Sequence, residues 1–312
     1  MGRRPVENPD GRVLRARVTS LDAHFRAAVS AIDAGDVPEL ERLIAANPAL
    51  VLERLALPGA WLRDTIGHAL DGFFQRPYLL WFVAEDPVRH GRLPANIAAV
   101  TRAIIEAARR AGAPNLQEQL DYALTLVSWS WIARQSGVQI ALIDALVDAG
   151  ASADGNPNNA LVNGNIAAAE HLLKRGAKPT LAAALCLGQW DDADRLVTTA
   201  SAPQKQFSFV LAALNGKAEA LRRLIRAGID VNAPSADLYP HGTPLHHAVC
   251  SGSLETVQVL IEAGAAIGTP DSAWSGTPLD WAEHYLNEEQ ENRRGGQYAE
   301  IAAYLRARSG DG

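Results

Sequence analysis

An all-α fold built from repeated pairs of short helices is predicted by three observations on this chain of 312 residues. Glycines recur at a fixed interval: Gly164 to Gly176, Gly216 to Gly228 and Gly252 to Gly264 each span twelve residues. Within these intervals apolar residues stand at helical spacing, as Leu254, Val257, Leu260 and Ile261 do on one face. Alanine is heavily used, and a 48% hydrophobic composition includes only 6% aromatic residues, which suits close stacking of short helices. A helix of about eight to ten residues needs one glycine to turn in and another to turn out. No such pair buries its apolar face alone, so neighbouring pairs are expected to share one elongated core.

The elements follow in order. Residues 1–20 lack period and are expected to form an irregular arm. Residues 21–113 read as divergent units with an insertion. Phe25, Val29 and Ile32 mark a first helix, and Leu40, Leu43 and Ile44 a second, which Asn47 ends twelve residues after Gly35. Asn tolerates the left-handed backbone that closes a helix. Residues 51–77 are crowded with large side chains. Helical pattern returns over 78–84, and the turn after it is expanded from Asp86 to Pro94 before a helix carrying Ile97, Val100, Ile104 and Ile105. Residues 114–234 read as short units with turns at Gly137, Gly164, Gly188 and Gly216. Residues 235–308 hold the two best units and a C-terminal cap, with 287–296 polar enough for a loop or frayed helix, and 309–312 form a tail.

Two motifs sharpen this reading. Thr243-Pro244-Leu245-His246 followed by Ala248 is a proline-led helix start, and Thr277-Pro278-Leu279-Asp280-Trp281-Ala282 repeats it. The run resembles the ankyrin repeat. The resemblance implies an ankyrin-like helical-pair solenoid over 21–308, with an elaborated N-terminal third. It also implies that His246 is structural and that a concave groove binds a protein or peptide. The turn glycines from Gly164 to Gly188 to Gly216 are 24 and 28 residues apart, short of the roughly 33 of an ankyrin repeat, so the hairpin fingers there should be short or missing. Aligning the units places Phe82, Asn159, His247 and Trp281 in the column that lines the groove, with His247 and Trp281 exposed. Tyr239 and Trp274 join that surface from the fingers.

A second candidate lies in the N-terminal third, where Trp61, Arg63, Asp64, His68, Trp81, Asp86 and Arg89 combine charge with aromatic bulk. A sealing cap and a ligand pocket both fit this composition, and acid–base catalysis is a third option. No phosphate loop, nucleophile elbow or zinc-protease motif is present, which weighs against an enzyme. His241, His246, His247, Cys250 and His284 invite a metal, but tetrahedral ligation is not implied by their spacing. No metal and no cofactor is expected.

The net charge of -6 offers no basis for nucleic-acid binding. Cys186 and Cys250 fall at equivalent repeat positions, so both read as unpaired fillers of a reducing, cytoplasmic protein. No apolar run suits a signal peptide or a membrane span. Arginine far exceeds lysine, a codon bias that points to a bacterial source. The expectation is a monomeric, non-catalytic binding scaffold for a protein or peptide of unknown identity. A small-molecule binder, an atypical enzyme and a toxin-neutralising partner stand as alternatives.

Overall fold

The computed structural model describes the backbone of residues 9–292 and 295–309, with side chains from 21–288 and 295–309. The chain divides into two compact units, Met1–Asn159 with His171–Ala177 and Ala160–Glu170 with Lys178–Gly312. In the first, the helices are α1 (Pro9–Ala34), α2 (Val37–Ala46), α3 (Ala49–Leu52), α4 (Ala60–Leu70), α5 (Ile97–Arg110), α6 (Leu116–Trp129), α7 (Trp131–Gln135) and α8 (Gln139–Asp148). A 3-10 helix, Leu79–Ala84, lies between α4 and α5. Next come α9 (Asn156–Val162) and α10 (Ile166–Lys174). The second unit continues with α11 (Leu181–Cys186), α12 (Trp190–Thr199), α13 (Ala202–Leu214), α14 (Ala218–Arg226), α15 (Pro244–Cys250), α16 (Leu254–Glu262), α17 (Pro278–Asn292) and α18 (Tyr298–Ser309). Among the described residues there is no β-strand, and no helix is long and apolar enough to cross a membrane.

In the first unit α2, α5 and α8 pack in sequence as one row, while α1, the 3-10 helix and α6 form the facing row. All six residues of the 3-10 helix are buried. Three expectations need correction here. The irregular arm over 1–20 lies outside the described residues up to position 8, and from Pro9 onward the backbone is helical. The pattern over 78–84 forms a 3-10 helix where an α-helix was expected. Asn47 ends α2 at φ -143°, not in the left-handed region. Pro48 explains the last point, because a proline ring drives the preceding residue to extended backbone. The Asn47 side chain instead meets His24 Nδ1 at 3.0 Å.

In the second unit α11, α13, α15 and α17 pack successively as an inner row, with α14, α16 and α18 as an outer row. Small side chains make the inner row possible. Ala182, Ala183, Ala184, Ala212, Ala213 and Ala248 are all buried. Between α12 and α13 only Ala200 and Ser201 intervene, so no finger forms, and Ser201 with Gln204 closes a capping box at the start of α13. Between α14 and α15 the finger is reduced to a single antiparallel bridge, Ser235 to Leu238. The glycine hinges behave as their spacing predicts. Gly252 and Gly264 adopt φ of +69° and +94° at the two ends of α16. Gly264 faces open space, so backbone conformation alone requires it, whereas a Cβ on Gly252 would also sit 2.9 Å from Gly296 Cα. The polar stretch expected to fray from 287 is helical through Asn292.

Candidate functional site

The site grows from the start of α15. Thr243 is its N-cap and Pro244 opens its first turn. His246 Nδ1 accepts from Thr243 N at 3.1 Å and from Thr243 Oγ1 at 2.8 Å. That leaves the proton on Nε2, which donates to the Gly276 carbonyl at 3.0 Å. Burial holds this imidazole below its usual pKa, and the ring ties α15 to the turn that leads into α17.

Asp271 completes the frame from the other side. Its Oδ1 accepts from Ala273 N at 2.8 Å and Trp274 N at 2.7 Å, and its Oδ2 from Gly276 N at 3.0 Å and Trp281 Nε1 at 2.9 Å. Desolvation opposes ionisation of this buried group, but four donors outweigh it and hold the carboxyl at about 2. A second clasp joins the loops, with Ser272 N donating to His241 O at 2.9 Å.

Around this frame lies a pocket of about 630 Å³ whose walls are mostly rings: Tyr239, His241, His247, Trp274, Trp281 and Tyr285. His241 stands edge-on to Trp274 with centroids 5.0 Å apart, and Trp281 lies 6.1 Å from Trp274 and 6.2 Å from His247. Cys250 and Asp280 contribute polar points to the wall. Tyr285 donates to Cys250 Sγ at 3.3 Å, and burial raises its phenol. Neither cysteine forms a disulfide; Cys186 is fully buried with its thiol pushed up to about 12, while Cys250 is partly exposed.

His247 corrects the sequence reading. Expected to be exposed, it is only 2% accessible. Gly242 explains the difference: a Cβ there would stand 3.1 Å from His247 Nε2, so the missing side chain admits the ring. Desolvation lowers its pKa to about 4. The carbonyls of Tyr239 and Gly242 oppose that shift, yet Nε2 has no hydrogen-bond partner among the described residues.

Four residues of the predicted groove, Tyr239, His247, Trp274 and Trp281, therefore meet in one pocket. Phe82 does not line a groove; it is buried in the first unit against Phe74 at 5.2 Å. Asn159 lies in α9 and donates to Asn156 Oδ1 at 3.2 Å. Asp271 and Tyr285 escaped the sequence reading. The signal for Asp271 was its place at the head of Asp-Ser-Ala-Trp-Ser-Gly, since Asp caps turns by accepting from backbone amides ahead of it.

The residues of the second candidate scatter. Arg63, Asp64 and His68 are exposed on α4, whereas Trp81 is buried among Phe74, Tyr78 and Tyr122. Trp61 stacks near Phe82 and donates from Nε1 to Asp22 at 2.9 Å. Trp61 and Arg89 share a shallow recess of about 300 Å³. Arg89 is already engaged, pairing with both oxygens of Asp33 at 2.8 and 3.1 Å and donating to Phe82 O at 3.1 Å. Buried Glu85 accepts at Oε1 from the amides of Arg89, His90 and Gly91 at 2.8, 2.6 and 3.0 Å, which fastens the inserted turn. Its Oε2 is 2.8 Å from Arg89, an ion pair without hydrogen-bond alignment. Among the described residues, Asp33, Glu85 and His90 alone bring three potential metal-ligand atoms together, and the Arg89 guanidinium already neutralises that cluster. Asp86 beside it is pushed up to about 6 by burial and by the neighbouring Glu85.

Comparison with known proteins matches this architecture. A family model for ankyrin repeats (3 copies) matches residues 159–271 and 209–289, a span that contains every lining residue of the aromatic pocket. Cyclin-dependent kinase 4 inhibitor B of Rattus norvegicus is 31% identical over 144 residues, covering 45% of this chain and 100% of that protein. The potassium channel GORK of Arabidopsis thaliana is 37% identical over 67 residues, 22% of this chain, and the match spans only 8% of the channel. A crystal structure of the human ASB11 ankyrin repeat domain aligns over 59% of this chain and 88% of that one, with 21% identity and a TM-score of 0.30. With its helical pairs, its glycine hinges and a relative matched along its whole length, the chain belongs to the ankyrin repeat family.

Proposed function

We propose that this protein is a non-catalytic binding scaffold that takes a segment of a protein partner in the aromatic pocket of its second unit. The observation that carries this reading is the convergence of Tyr239, His247, Trp274 and Trp281 on one cavity of about 630 Å³. That volume accommodates one or two large side chains of a peptide. Tryptophan and tyrosine supply contact area at low conformational cost, and Trp274 is 71% exposed, available to a partner. The rat relative is named as an inhibitor of a kinase, which supports a protein as the target.

The test compares proteins retained from lysate by the full chain and by Trp274→Ala, identified by mass spectrometry. Trp274 is too exposed for its loss to unfold the protein. Specific partners are expected to disappear with the variant. An identical set on both baits would remove this pocket as the binding site.

A further inference from the structure

Charge is distributed unevenly along this sequence. From residue 227 to residue 292 there are ten Asp and Glu and not one Lys or Arg. The rest of the chain holds all 29 Lys and Arg against 25 acids. Among the described residues, that acidic stretch supplies every lining residue of the aromatic pocket apart from Val162 and Leu214. No arginine or lysine among the described residues lines it.

Two local features focus the field. Asp280 stands on the wall with Oδ2 accepting from Thr277 N and Oγ1, each at 2.7 Å, while its Oδ1 has no partner among the described residues. It shares that wall mostly with aromatic side chains, and the face of an aromatic ring attracts a cation lying over it. An apolar side chain would fill the same space but leave the carboxylate unused, and an anion would be repelled by it.

We propose that the pocket's anchor is a basic side chain of the partner, an arginine or lysine whose charged head lies between the Trp274 and Trp281 rings and the Asp280 carboxylate. The proposal rests on the peptide-binding reading above and narrows it to partners with a basic segment. The acidic stretch attracts such a segment from a distance, and the rings and Asp280 select the individual side chain.

Three capped pentapeptides Gly-Gly-X-Gly-Gly, with X arginine, citrulline or norleucine, test this on the full chain. Binding is read by tryptophan fluorescence and by protection of Cys250 from alkylation. The arginine peptide is expected to bind about tenfold tighter than citrulline or norleucine, an advantage that shrinks at about 0.5 M salt. Asp280→Asn should abolish that advantage without changing the neutral peptides, and its unliganded Cys250 should alkylate at the wild-type rate, showing an intact pocket. Trp274→Leu, which keeps bulk but removes the ring face, should weaken the arginine peptide selectively. Norleucine binding as tightly as arginine overturns the cation proposal and leaves the peptide site standing. If no peptide binds but Trp274→Ala still loses partners, the cation proposal alone falls; if neither effect is seen, both readings fall.

Discussion

The two units place their aromatic residues differently, although each has both buried and exposed rings. In the first, Phe74, Trp81 and Phe82 are buried, and the facing row includes a 3-10 helix with no alanine but its last residue. In the second, the inner row is lined largely by alanine, with Phe209 of α13 as a fully buried ring, and Tyr239 and Trp274 remain 42% and 71% exposed. The contrast teaches that where small side chains already fill most of an inner row, more of the rings are left at the edges of the repeats.

The comparison breaks first at Phe82. Phe82→Ala should destabilise the protein by about 4 kcal/mol in equilibrium urea unfolding, as truncation of a fully buried ring does. Glu85→Ala should cost about 3 kcal/mol, because three amides lose their acceptor and Arg89 loses one counter-charge. A neutral result at either position would mean that the first unit's interior is not the tight core described above.

Acidity separates the units by sign. Asp86 titrates near 6 in the folded chain against 3.8 unperturbed, so its contribution is complete below about pH 3.8 and is lost as pH rises through about 6. Asp86→Asn should therefore stabilise the protein at pH 8 by about 2 kcal/mol and have little effect near pH 4. His247 runs the other way. Its folded pKa of about 4 lies below the ordinary 6.5, so stability is complete above about pH 6.5 and is lost as pH falls towards 4. Amide exchange over residues 244–250, corrected for its intrinsic pH dependence, should be faster at about pH 4.5 than at pH 7. The smallest expected effect is on Trp274, where alanine should change stability by less than about 0.5 kcal/mol while removing partner binding.

Much of this fold was readable before the structure. The glycine beat located α10, α14 and α16, and all six of its glycines adopt positive φ. Thr243 through His246 announced the frame of the site; repeat alignment named His247 and Trp281, and position in the fingers named Tyr239 and Trp274. What stayed hidden depended on neighbours distant in sequence. Nothing near His247 announces that its ring turns inward, because that outcome follows from the absent side chain of Gly242 and from walls supplied by Trp281. Asp271 looks like any turn aspartate until its Oδ2 is seen on an indole ten residues on. The Asn47 conformation was misjudged because the constraint of Pro48 outweighs the tolerance of asparagine.

The four bonds to Asp271 carry a consequence for how recognition by this protein can change. One carboxylate holds the backbone beneath Trp274 and the indole of Trp281 in fixed register, whatever side chain is displayed at 274. On the proposed binding role, substitution at that tip would alter which target is preferred without loosening the mount, so new specificities would be within reach of single changes. Association should also carry little ordering cost, since the rim is already set before a target arrives.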